Sequence, residues 1–286
     1  MATLRDIRRK IHSVGNIRKI TQAMEMVASS RLRKAKVKAE TSRPYALKLK
    51  EILDNLIASS SELTHPLLKP HPIKKTGLVI VAGDRGLCGG YNHEVFHAAE
   101  NFLAKYQPHQ VDIILVGKKT VDYFEGKKWP ILTKIEEWGG KITYSQIEEF
   151  TTLLMNFYLN NQLDEIWLVY THFINMAARE VRTLKFLNIE ITELESTKPF
   201  NDDYIFEPDA VTIFEEIIPR YCVTKIQSVL NDAYASELVA RIFSMRTATK
   251  NTEEMIEQLT LTRNKVRQSG ITQELIEITS GAKSLS

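Results

Sequence analysis

The feature that most constrains this chain is an apolar periodicity in its last third that is too long for an ordinary globular helix. From Pro208 to Ala282, apolar residues return every three or four positions: Val211, Phe214, Ile218, Cys222, Ile226, Val229 and Ala233, then Ile242, Met245, Ala248, Met255, Leu259 and Val266. Steps of three and four mark one face of a helix. A stripe sustained over that distance requires a partner of similar length.

The first residues offer one. Leu4, Ile7, Ile11, Val14, Ile17, Ile20, Met24, Val27, Leu32 and Ala35 advance by about 3.5 residues per turn, the period of a left-handed two-helix seam. The spacing predicts a helix from Ala2 to Ser59, bent or briefly broken at Pro44, and a C-terminal helix opened by Pro208 and kinked at Pro219. The expected fold is therefore α/β plus a long coiled coil. The N- and C-terminal segments form an antiparallel two-helix coiled coil, with a small Rossmann-like α/β domain inserted between them. The competing arrangement is two unrelated helices of a larger bundle, but the middle of the chain offers no further long helices. The boundaries are 1–62 for the N-terminal helix, 63–203 for the inserted domain and 204–286 for the C-terminal helix with its tip.

The middle has a different texture. Leu78–Ala82, Val111–Val116 and Ile166–Tyr170 read as short buried strands, and Val181–Leu194 as a further strand region in which 182–187 fits a helix equally well. Helical stretches alternate with them at 92–106, 118–125 and 145–160, the last with Ser145 as N-cap and Glu148 closing a capping box. Alternation over this span indicates a small parallel sheet.

Lengths sharpen the expectation. At 1.5 Å per residue the first helix spans roughly 85 Å and the last roughly 110 Å. Rooted together, they pair residues near 58 with those near 208, and residue 2 with those near 265. The final eighteen or so residues then project alone. A tip carrying Ile271, Leu275, Ile276 and Ile278 is too apolar to stand in water and belongs inside another body.

Charge is uneven. Residues 1–50 hold 14 Lys and Arg against three acids, a net +11 in a chain whose total is +3. Such a basic rod implies anionic surroundings: nucleic acid, acidic lipid or an acidic protein cavity. The basic half contains no aromatic residue before Tyr45, so it has no stacking platform for nucleic acid, and only phosphate contact remains. No apolar run of membrane-spanning length occurs, and no leader segment precedes the helical pattern. Cys88 and Cys222, far apart, read as reduced structural residues.

The one enzyme-like stretch is Gly83-Asp84-Arg85-Gly86-Leu87-Cys88-Gly89-Gly90, directly after the first strand. Phosphates are often cradled at such turns. Yet it lacks both the Gly-Lys-Ser/Thr of a P-loop and the Gly-x-Gly of a dinucleotide site, which leaves a structural turn against a nucleotide site. His93 and His97 lack the other elements of a zinc helix, no Gly-x-Ser-x-Gly occurs, and the paired acids Glu148/Glu149 and Glu215/Glu216 point to different sides of a helix. The sequence therefore predicts no catalytic residue, cofactor or metal.

At Ile20-Thr21-Gln22-Ala23-Met24-Glu25-Met26-Val27-Ala28 and at Asn264 to Ile278 the chain resembles the gamma subunits of rotary F-type ATP synthases, as it does at Asp84–Gly89 and Tyr204–Asp209. The resemblance covers essentially the whole chain in order. It departs where family members usually have Ala after Arg-Gln; here Ser269-Gly270 loosens the helix locally. No cysteine-bearing insertion of the chloroplast kind is present, which favours a bacterial-type subunit.

The resemblance implies a central rotor shaft that couples proton or sodium flow through the membrane c-ring to ATP synthesis or hydrolysis at beta-subunit sites, without chemistry of its own. Its tip would sit in an apolar bearing of the alpha and beta ring. The inserted domain and the Tyr204–Asp209 turn, with Tyr204 and Glu207, would rest on the epsilon subunit and the c-ring. Arg267 and Gln268 would hydrogen-bond a beta-subunit loop, with Thr272 and Glu274 beside them. Met24 would lie in the same contact zone, against plain seam packing as its other reading. The implied location is the cytoplasmic face of the bacterial membrane, held there only through the complex.

Overall fold

A computed structural model describes residues 3–59, 65–140, 142–189, 207 and 209–284. The chain divides into two compact units: Met1–Ser29 with Arg241–Ser286, and Ser30–Ala240.

The first unit consists of the start of α1 (Leu4–Ser59) and the end of α5 (Ala210–Ser284). Thr3 and Asp6 start α1 reciprocally: the Asp6 N–H donates to Thr3 Oγ1 at 3.2 Å and the Thr3 N–H to Asp6 Oδ2 at 3.2 Å. Two side-chain pairs set the register. Thr21 Oγ1 lies 2.7 Å from Thr249 Oγ1, and Arg246 Nε donates to Glu25 Oε1 at 3.0 Å. Four residues forward on α1 are thus three residues back on α5, an antiparallel arrangement. Extended to Leu4, this register reaches ~266 on α5. Up to residue 280, Val266 is the last position of α5 that is shielded; 267–280 are all exposed.

The seam itself differs from the expected one. In α1 the shielded line is Leu4, Ile7, Ile11, Val14, Arg18, Thr21, Glu25 and Ala28, with Asp6, Gly15 and Met24 half-covered at its flank. In α5 it is Ile242, Met245, Thr249, Thr252, Ile256, Leu259, Arg263 and Val266. Both lines alternate steps of three and four without a break, the heptad rhythm of paired helices. From Ile17 to Val27, however, the expected α1 stripe sits one residue off the real one, and it rejoins it at Leu32, 4% exposed, and half-buried Ala35. Ile17, Ile20 and Val27 are 48%, 59% and 52% exposed, and on α5 Met255 is 50% exposed.

The second unit is built on a five-stranded sheet of order β3-β2-β1-β4-β5. Its strands are β1 (Thr76–Val81), β2 (Val111–Val116), β3 (Ile131–Ile135), β4 (Glu165–Phe173) and β5 (Arg179–Leu187). Every residue of β1 and β2 is buried, the signature of strands covered on both faces. The sheet is mixed, not purely parallel: β5 runs antiparallel to β4. Asn175 makes that reversal local, because its side-chain oxygen accepts the N–H groups of Ala177 and Ala178. The short edge strand β3, only five residues with Lys134 among them, escaped the sequence pattern.

Helices α2 (Tyr91–Leu103), α3 (Lys118–Phe124) and α4 (Tyr144–Leu159) cover the sheet. α4 starts at Thr143, not Ser145: Thr143 and Gln146 form the reciprocal box, since Thr-x-x-Gln overlaps Ser-x-x-Glu there. One buried cluster unites Leu53 and Leu56 of α1, Val79, Ile114 and Leu168 of the sheet, and Phe214, Ile218, Ile226 and Leu230 of α5. α5 is capped by Asp209, which accepts the Thr212 N–H at 2.9 Å; Pro208 lies outside the described residues. Pro44 and Pro219 fall inside helices that continue through them.

Candidate functional site

The glycine-rich turn after β1 is the natural place to look for a ligand, because open α/β sheets bind at the carboxyl ends of the strands where the order reverses. Here the reversal lies between β1 and β4. The turn is organised around the carboxylate of Asp84. Its Oδ1 accepts the N–H of Lys118 at 3.0 Å and of Glu137 at 2.9 Å, and its Oδ2 that of Gly139 at 2.8 Å. Lys118 is the first residue of α3. The amide that a bound anion would take is therefore taken by the chain's own carboxylate. The neighbouring corner is equally full. A Cβ at Gly117, whose φ is +102°, would sit 2.2 Å from the Ala82 carbonyl oxygen, and that oxygen already accepts the Trp138 indole N–H at 2.9 Å.

On the β4 side, α5 itself covers the crevice. Tyr91 donates its hydroxyl to the Ala233 carbonyl at 3.0 Å, and Ser236 donates to the Thr171 carbonyl at 3.3 Å. Burial pushes the Tyr91 phenol well up, keeping it a neutral donor. A Cβ at Gly83 would come within 3.0 Å of the Glu237 carboxyl carbon. Of the two readings of the Gly83–Gly90 turn, this geometry favours the structural one. The signal for it was in the sequence: an Asp directly after strand and glycine is suited to capping backbone amides.

The cysteines sit inside the packing. Cys88 and Cys222 are both buried, and burial raises the Cys222 thiol to about 12, so it stays protonated and unreactive at neutral pH. His93 and His97 belong to α2, and among the described residues no group of three or more His, Cys, Asp or Glu side chains is placed to hold a metal. Among the described residues no helix is long and apolar enough to cross a membrane.

The other residues singled out by the sequence lie on the terminal helices and the Tyr204–Asp209 turn. Arg267, Gln268, Thr272 and Glu274 are all exposed on the unpaired end of α5, within two turns of one another. Arg267, Ile271, Glu274 and Ile278 share one face by spacing, and Gln268, Thr272, Leu275 and Thr279 the next. The apolar members are more than half exposed: Ile271 51%, Leu275 57%, Ile276 53% and Ile278 68%.

Met24 is half-buried on α1. The Thr21–Thr249 register sets it opposite ~246, about 30 Å along α5 from Arg267, so the two do not come together. Glu207 is exposed, and Tyr204 lies outside the described residues. The polar members of the seam, Thr21 and Thr249 above all, went unnoticed in the sequence because a search for apolar periodicity passes over threonine.

A family model described as ATP synthase matches residues 3–285. The ATP synthase gamma chain of Protochlamydia amoebophila is 52% identical over 285 residues, covering 100% of both chains. Among solved structures, a chain of the Euglena gracilis mitochondrial ATP synthase, in a cryo-EM structure of its OSCP/F1/c-ring in rotational state 3, superposes with a TM-score of 0.68 at 16% identity, covering 99% of this chain and 94% of that one. A chain from the rotor of the same organism's enzyme in rotational state 1 gives 0.64 at 16% identity, covering 94% and 98%.

Proposed function

The chain belongs to the ATP synthase family, among its gamma chains, and from that premise we propose that it is the central rotor shaft of a bacterial F-type enzyme. It couples proton or sodium flow through a membrane c-ring to ATP synthesis or hydrolysis at beta-subunit sites, and performs no bond chemistry. One observation carries the reading. Beyond Val266 the last helix has no shielding, yet it presents Ile271, Leu275, Ile276 and Ile278 at half exposure or more. A solitary amphiphilic helix of this kind is stable only inside a socket, and the ring of alpha and beta subunits supplies one.

In this reading the terminal segments form an antiparallel coiled coil along 1–62 and 204–286, with the Rossmann-like domain of 63–203 inserted between them. Two supercoiled helices resist twisting better than one, which is what transmission of torque requires. Arg267, Gln268, Thr272 and Glu274 meet beta-subunit loops, Met24 contacts the ring at a lower level, and Tyr204 and Glu207 rest on the epsilon subunit and c-ring. The complex holds the chain at the cytoplasmic face of the membrane. Support for the absence of chemistry comes from the Asp84 corner, where the amides of a would-be anion site are already bonded.

The test is reconstitution with alpha, beta and epsilon subunits on c-ring membranes. Omission of the chain should abolish proton-driven synthesis, and intact synthesis without it would end the proposal. Arg267→Ala should lower turnover of the assembled complex while leaving the isolated chain's melting unchanged. Unaltered turnover would remove Arg267 from the contact.

A further inference from the structure

The first unit contains a conflict between its sequence and its packing. α1 carries two lines one residue apart, which on a helix are about 100° apart around the axis. One line, Arg18, Thr21, Glu25 and Ala28, is turned toward the seam; the other, Ile17, Ile20, Met24 and Val27, is the more apolar. Apolar burial alone would roll α1 the other way. Something specific must hold the polar line inward.

We propose that Thr21 and Thr249 are positioning residues: their hydroxyl pair, backed by Glu25 and Arg246, sets the rotation of α1 about its axis and thereby holds the Ile17–Val27 stripe away from the seam. The two hydroxyl oxygens are 2.7 Å apart, at positions only 7% and 9% exposed. Thr21 Oγ1 is also 2.9 Å from the Arg18 carbonyl oxygen, to which it can donate. With that bond made, Thr249 is the donor to Thr21. A roll that buried Ile20 would break the pair and take from the Thr249 hydroxyl its acceptor, while Thr21 keeps its bond to the Arg18 carbonyl within α1. A polar pair at a heptad position is a known means of choosing one packing over a more apolar competitor, at some cost in stability. Arg246 and Glu25, 66% and 23% exposed, lie at the rim, where an ion pair adds little energy but is sensitive to rotation.

The proposal rests on the shaft reading, so its test has two arms. Because Cys88 and Cys222 are buried, the full chain gives a quiet thiol background. In the first arm, Ala28→Cys with Ile242→Cys, two buried positions in the same register, should oxidise to a disulfide in the otherwise unaltered chain. Failure of that disulfide would sink the paired helices and the positioning role together.

In the second arm, Val27→Cys reports the outward face by its rate of maleimide labelling. Thr21→Val with Thr249→Val should shift the balance between outward and inward packing about tenfold towards inward, the factor that one net hydrogen bond allows, and so slow that labelling about twofold or more. It should also reduce the 28–242 disulfide, and in the reconstituted complex it should uncouple ion flow from synthesis. Thr21→Ser with Thr249→Ser keeps the hydroxyls and should label and couple like the parent. Parent-like labelling and disulfide formation in the valine pair would overturn the positioning role while leaving the shaft intact. Loss of outward labelling in the serine pair would do the same, since it would assign the effect to the methyl groups.

Discussion

The two ends of α5 make an instructive comparison. From Phe214 to Ala240 the helix buries its apolar face almost completely, with Phe214 at 1%, Ile218 at 0% and Ala233 at 0% exposure. From Arg267 to Ser280 the same helix shields nothing, although its apolar spacing continues. Periodicity of one kind thus serves two ends. In the first stretch it builds a domain; in the second it leaves apolar side chains exposed. Helix propensity does not distinguish them, and only the supply of partners within the chain does.

Substitutions separate these roles. Phe214→Ala should have the largest effect, about 3–5 kcal/mol by chemical denaturation, because a fully buried aromatic leaves a cavity in a cluster shared by helix and sheet. A loss below about 1 kcal/mol would show that the anchored stretch is less tightly packed than its burial indicates. Asp84→Ala should follow at about 2–3 kcal/mol, since three backbone N–H groups lose a charged acceptor. Nucleotide affinity gained without that loss would return the turn to the enzymes.

Ile276→Ser should shift the isolated chain by no more than about 0.5 kcal/mol, as expected at an exposed site, yet weaken capture by an alpha–beta ring. A large fall in the isolated chain's stability would mean the tip packs on its own protein.

The smallest effect is expected at the start of α1. The hydroxyl and amide of Thr3 hold the Asp6 carboxyl below its ordinary value of 3.8. A depressed acid stabilises the folded state above the unfolded pKa, and that contribution is lost as pH falls through the folded value. Asp6→Asn should erase this acid step from a circular-dichroism titration; an unchanged profile would dismiss the cap.

Much of this was legible in the residues. The buried line Phe214, Ile218, Cys222, Ile226, Val229 and Ala233 follows from spacing, as do β1, β2 and β4, because strands and helices covered on all sides need little beyond apolar side chains. The bare tip was legible too, from length alone. The shielded face of α1 was not between Ile17 and Val27, although Leu32 and Ala35 were placed correctly. Apolar residues mark a face that will be covered, without saying by what, and α1 has one face for its own chain and another beside it. β3 was missed because an edge strand of five residues behind Pro130 carries too short a pattern. The hairpin that turns β5 antiparallel depends on a single asparagine side chain.

Asp84 works as an internal clasp between three parts of the chain. By lodging a carboxylate of its own among the Lys118, Glu137 and Gly139 amides, the protein ties the segment after β3 and the start of α3 to the end of β1. Replacing that one side chain with a smaller neutral one would leave three amides facing an empty corner.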